Sequence, residues 1–200
     1  MLRIKKSLLI SILTVTFMAA FLSEANAVSA HAEEELKIAK QCTFVIPSEF
    51  TPSSERNLFI DKSYPMESGS IKYSVYYNGM DVIMTNRERE EAEKKAEEKI
   101  IDNSGELTKK EYEELLSANY NKEYGTDVGF KVSDFDTIEI DGFPGYKIEA
   151  SFKVGDEEPI YQTVYMIRSR YRTFTITYQR AEDDECSESF EKSAKTIHVM

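Results

Sequence analysis

The chain has no tryptophan, two cysteines, two histidines and five prolines in 200 residues, and its 25 basic residues are outnumbered by 36 acidic ones. Each shortage excludes something. With so little histidine, activation of a serine or cysteine nucleophile is poorly provided for: His198 lies almost at the end of the chain, and His31 lies in a segment expected to be lost or flexible. Two cysteines far apart make neither a C-x-x-C redox pair nor a zinc set. G-x-S-x-G, H-E-x-x-H and the phosphate-binding glycine loop are all missing. A net charge of −11 repels nucleic acid and anionic lipid. Beyond Leu22 no apolar run approaches the roughly 20 residues that a membrane-spanning helix needs.

What is present begins with an address. MLRIKK is basic, Ser7 to Leu22 is apolar, and SEANAVSAHA is rich in small residues, the three parts of a secretory signal peptide. Cleavage is expected after Ala27, with Ala30-His31-Ala32 as a second site, and no cysteine follows either one to carry a lipid. Residues 1–27 are therefore read as the signal peptide, 28–41 as a flexible acidic leader and 42–200 as one domain, long enough for a proper core. In an exported chain Cys42 and Cys186 are expected to form a disulfide, whose very long loop would contribute about 4–5 kcal/mol in a loop-entropy model. Two separate thiols are the alternative.

Hydrophobic period supplies the elements. CTFVIPSEF reads as a first strand and PSEFTPSSERN as a loop. SIKYSVYY and MDVIMTN flank Asn78-Gly79, a type I′ hairpin signal. REREEAEKKAEEKII is an exposed charged helix, and LTKKEYEELLSANYNKEYG is a second helix stopped by Gly125. From Val128 the period becomes two: FKVSDFDTIEI, GYKIEASFKV, IYQTVYMIRS and YRTFTITYQRA form an antiparallel meander. CSESFEKSAKTIHV is expected to open with Ser187 as N-cap and close the domain with a short helix. With no βαβ alternation, the expected class is α+β, a single antiparallel sheet of hairpin plus meander flanked by helices.

The first strand ending in proline, the helix opened by LTKKEYEEL, the phrase IEIDGFPGYKIEA with its glycine-proline-glycine turn, QTVYMI, FTITYQRA and the closing FEKSAKTIHV together resemble the PsbP-like fold over residues 42–199. That group also includes a nuclear Ran-binding protein and bacterial exported proteins. FIDKSYPMESGSIKYSVYYNG is similar to uncharacterised exported proteins of anaerobic Gram-positive bacteria. The resemblance implies a non-enzymatic binding or accessory role outside the cell or at its envelope, with a protein or cell-surface component as partner. It transfers no site residue, and a fold does not fix a function. A hydrolase acting on cell-wall or dietary polymers is the alternative; its acid and base cannot be singled out among so many carboxylates.

Three features invite chemistry. Arg168, Arg170 and Arg172 alternate at a strand end, where three guanidinium groups on one face would hold a carboxylate, a phosphate or an acidic loop; pairing with the chain's own carboxylates is the plainer reading. Thr173, Thr175 and Thr177 alternate with Phe174, Ile176 and Tyr178, as a half-exposed strand requires, while Tyr73, Tyr76, Tyr77, Tyr161 and Tyr165 divide between core and surface, where an exposed subset would stack on sugar. IIDNSGELTKKEYEELL matches a calcium loop if Gly105 is its sixth residue, with Asp102, Ser104 and Glu111 among the ligands, but Ile100 stands where the first carboxylate belongs. The T-x-x-E of Thr108 and Glu111 reads instead as a capping box. No metal and no cofactor is expected.

Overall fold

The computed structural model describes residues 36–63, 69–76, 107–170, 172–181 and 186–200. The expected signal peptide, the Asn78-Gly79 hairpin, the charged helix from Arg87 and the turn at Asn103 to Gly105 lie outside those residues.

Nine strands and two helices are present among the described residues: β1 Cys42–Thr43, β2 Phe50–Pro52, β3 Leu58–Asp61, β4 Ser70–Tyr76, α1 Lys109–Tyr124, β5 Lys131–Ile140, β6 Phe143–Phe152, β7 Ile160–Arg168, β8 Thr173–Arg180, α2 Ser187–Ala194 and β9 His198–Val199. The strands form two sheets where one was expected. Seven join in the order β2-β3-β4-β8-β7-β6-β5, all antiparallel, and β1 pairs only with β9. The small sheet exists because the two ends of the domain meet: the amides of Lys40 and Gln41 donate to Met200 O, and Met200 N donates to Gln41 O. Cys42 and Val199 turn inward while Thr43 and His198 face out. The first strand is thus two residues long, and the stretch read as a loop contains β2. Leu36 to Gln41, assigned to the leader, packs on the fold with Ala39 wholly buried.

Alternation along the meander builds a core on each side of the large sheet. Ile167, Phe174, Ile176 and Tyr178 share one face with Phe190 of α2 and with the β1–β9 pair. Tyr146, Ile148, Val164 and Met166 share the other with Tyr112 and Leu116 of α1. Asp141 and Gly142, at φ 53° and 78°, make the two-residue turn between Ile140 and Phe143. The turn thus falls at Asp141-Gly142, between the two alternating stretches, and Pro144 and Gly145 of the glycine-proline-glycine phrase already lie in β6. Pro144 is tolerated there because pairing of β6 with β7 starts only at Gly145.

Helix α1 begins as its sequence indicates. Thr108 accepts the Glu111 amide at 3.2 Å and Glu111 Oε2 accepts the Thr108 amide at 2.9 Å, a complete capping box. The Thr108 hydroxyl, which donates to Glu111 Oε2 at 2.7 Å, and after it the Thr108 amide hold the Glu111 carboxyl below its usual range. Gly125, at φ 69°, ends the helix in the left-handed region. Helix α2 departs from expectation: its N-cap is Cys186 in helical geometry with no side-chain cap, and Ser187 is the first helical residue.

The two thiols are unbridged, which corrects the expected disulfide. Cys42 is buried on β1 and Cys186 precedes α2 beside Gly69, so both line one core cluster without meeting. Burial, then the Asp141 charge, pushes the Cys42 thiol up to about 12. Its thiolate is therefore scarce near neutrality, and alkylation of the native protein should leave Cys42 unmodified. In denaturant without reductant both cysteines should then take the label, as mass spectrometry will show; a chain that stays unlabelled there is bridged.

A carboxylate ties the small sheet to the large one. Asp141 Oδ2 accepts Val199 N at 2.8 Å and faces His198 Nδ1 at 3.2 Å. The Val199 amide first, and His198 after it, hold the Asp141 carboxyl below its usual range. A depressed folded-state value means that the tether is at full strength above the unfolded value, about 3.9, and is lost as pH falls through the folded one. The Val199 amide resonance should therefore move in acid with a midpoint below pH 4, and Asp141→Asn should abolish that step.

Candidate functional site

Where α2 stops covering the large sheet, a groove of about 250 Å³ opens over β6, β7 and β8. Its floor is the outward alternation of three strands: Lys147 and Glu149 of β6, Tyr161, Thr163 and Tyr165 of β7, and Arg180 of β8. Register makes the cluster, since Lys147 stands opposite Tyr165, Glu149 opposite Thr163, and Tyr161 opposite Arg180. Phe190 and Glu191 of α2 form part of one wall.

The wall is fixed from below. The Phe190 ring packs 5.4 Å from Phe50 and 5.2 Å from Tyr178. Ser193 Oγ donates to Val45 O at 2.6 Å, so the Tyr178 hydroxyl, 2.9 Å away, donates to Ser193. At the helix start Ser189 donates to Glu49, which holds the Glu49 carboxyl low. The far rim is set by an irregularity: register shifts between Val132 and Asp134, and Ser133 there donates to Glu149 O at 3.0 Å. The exposed edge of β5 is partly closed, because Val132 N donates to Glu113 and Lys109 Nζ donates to Ser133 O.

Two cations and two carboxylates balance within the groove, in a chain that is otherwise strongly acidic. Lys147 Nζ lies 2.7 Å from Glu149 Oε1, and this bond raises the lysine's affinity for its proton. The Arg180 guanidinium stacks 5.0 Å from the Tyr161 ring centre and donates to Ala181 O. Tyr165 meets Tyr178 edge-on at 6.0 Å, and burial raises its phenol. Such a surface offers hydrogen bonds of both senses, fixed charge of both signs and two aromatic rings. Among the described residues the carboxyls that depart from their usual range, Glu49, Glu111, Asp141 and Glu188, all go down, each held by hydrogen bonds to its charged form.

The arginines expected in one row are dispersed. Arg168 ends β7 with its guanidinium 5.2 Å above the Tyr146 ring, on the α1 side. The backbone of Arg170 donates to Lys37 O. Arg172 is 2 % exposed and donates to Ala39 O at 2.7 Å. The threonine alternation holds: Thr173, Thr175 and Thr177 are half-buried, while Phe174, Ile176 and Tyr178 are buried. Tyr73, Tyr76, Tyr161 and Tyr165 are all half-buried, and Tyr77 lies outside the described residues. Among the described residues no group of histidine, cysteine and carboxylate side chains is placed to hold a metal. Nor is any helix there long and apolar enough to cross a membrane. Lys147, Glu149 and Arg180 were missed in the sequence; the only available signal was their outward phase in strands whose pairing partners were not yet known.

No family model matches the chain, and no curated protein matches it. Among solved structures, LpqN, involved in cell envelope biogenesis of Mycobacterium tuberculosis, is similar at a TM-score of 0.43 and 11 % identity over 80 % of this chain and 83 % of its own, too loose to argue from. The solution structure of cyanobacterial PsbP (CyanoP) from Synechocystis sp. PCC 6803 is similar at a TM-score of 0.53 and 14 % identity, over 88 % of this chain and 99 % of that one. At that identity the likeness speaks for the architecture alone, and the fold is PsbP-like.

Proposed function

We propose that the protein is an exported, non-catalytic binding or accessory component that works outside the cell or at its envelope, and that it holds its partner in the groove over β6, β7 and β8. One observation carries this reading: six outward side chains from three adjacent strands, of both charges and with two tyrosines, line a concave surface that the fold leaves open beside α2. A site of this kind orients a ligand through several weak polar contacts and aromatic area. Export rests on the tripartite N-terminus, with its basic, apolar and small-residue parts in signal-peptide order. The partner is a protein or another cell-surface component.

Crosslinking at the surface of the producing culture, followed by capture with the wild-type protein and with Thr163→Trp, tests the reading. The indole would fill the groove, so a partner held by the wild type should be lost from the variant while circular dichroism stays unchanged. A partner retained equally by both removes the groove from the account. N-terminal sequencing of the protein from the medium checks export, and an intact Met1 would contradict it.

A further inference from the structure

On the sheet face away from the groove, three polar side chains run side by side across β7, β8 and β4. Gln162 stands opposite Gln179, and Gln179 opposite Ser70. All three are buried, at 4 %, 3 % and 3 % exposure. Gln162 spends both its amide hydrogens: Nε2 donates to the Tyr120 hydroxyl and to Gln179 Oε1, each at 2.8 Å. That fixes the Gln179 amide. Its carbonyl oxygen faces Gln162, and Ser70 is its ladder neighbour on the other side. Gln179 Nε2 and Ser70 Oγ are both buried polar atoms without a hydrogen-bond partner. Leaving either one so costs about 1–3 kcal/mol, and buried polar groups in native proteins are rarely left unmatched.

We propose that the gap between Gln179 Nε2 and Ser70 Oγ is a binding position for one oxygen atom of a small neutral molecule, which accepts from the amide and exchanges a hydrogen bond with the hydroxyl. The electrostatics select neutrality. The cation on the same face two residues along β4 is Lys72, already paired with Glu55, so an anion here would be buried without a counter-charge of its own. A cation would meet the amide hydrogens of Gln179 head-on. The oxygen belongs either to water, which needs two or more polar partners to be held inside a protein, or to a hydroxyl or carbonyl of a small solute. This position is separate from the groove and does not depend on the function proposed for it.

Proton NMR of the full-length purified protein reads the site directly. The Gln179 side-chain amide hydrogens should show a nuclear Overhauser cross-peak, at the water frequency if the oxygen is water's, or to a carbon-bound proton of a co-purified molecule if it is a solute's. Absence of both overturns the proposal. Ser70→Ala gives a second readout in a variant too mild to prevent folding. If the position is filled, removing the hydroxyl strands the bound oxygen and lowers Tm by a few degrees. If it is empty, the substitution removes only an unmatched hydroxyl, and an unchanged or raised Tm contradicts the proposal.

Discussion

Replacing Gly145 with alanine should cost at least about 3 kcal/mol and lower Tm by roughly 10 °C. Gly145 sits inside the large sheet, between Ile138 of β5 and Ile167 of β7. A methyl group built there would come within 2.3 Å of Met166 O and 3.1 Å of the Ile167 Cα. Both are backbone atoms of the neighbouring strand, so no side chain can swing away to make room, and β7 itself must move. Since β7 carries Tyr161, Thr163 and Tyr165, the same displacement deforms the groove floor. Gly69→Ala is the control: among the described residues its new methyl would meet Cys186 Sγ alone, at 3.4 Å. Urea unfolding of both variants checks the claim, and equal midpoints would contradict it.

Arg172→Ala should cost about 2–4 kcal/mol and release the N-terminal segment of the domain. The guanidinium is buried where charge is seldom found, and it donates to the carbonyl of Ala39, itself fully buried. Truncation removes a charge-assisted bond, leaves that carbonyl poorly matched and opens space around the stem. Leu36 to Gln41 is also tied down by the Arg170 amide to Lys37 O and by the pairing with Met200. Trypsin should therefore cut at Lys37 and Lys40, both exposed, much faster in the variant than in the wild type. Cleavage at an unchanged rate would mean that the segment is held by other contacts. Arg172→Lys should fall between the two, since an ammonium cannot reproduce the planar fork.

How much of this was legible in the sequence depends on the range over which each feature is determined. β7 and β8 alternate along most of their length because each has two faces on defined layers, and Asp141-Gly142 states its turn in two residues. The start of α1 was equally local, being written in Thr108 and Glu111. β1, β2 and β9, only two or three residues long, carry no period; they exist because the chain ends meet and because Phe50 packs on Phe190. The alternation of Arg168, Arg170 and Arg172 was real in sequence, but β7 ends at Arg168 and the turn sends the next two arginines elsewhere. The cysteines were read from their number and the expected compartment, whereas the packing decides: Cys42 is committed to β1 and Cys186 to the start of α2. The groove was the least legible feature, because Lys147, Glu149, Tyr161 and Arg180 are brought together by register across three strands, which no single stretch of chain encodes.

Occupancy of the groove by a partner can be read directly. A photo-crosslinking amino acid placed at position 163, in the floor, and in a second protein at position 175, on the opposite face, tests this in the native setting of the producing culture. Position 163 should yield a light-dependent adduct of one defined mass, suppressed by excess unlabelled wild-type protein, and position 175 should yield none. Adducts of equal yield from both positions, or none from 163 under conditions where the protein is exported and folded, would contradict the claim that this surface is where the protein does its work.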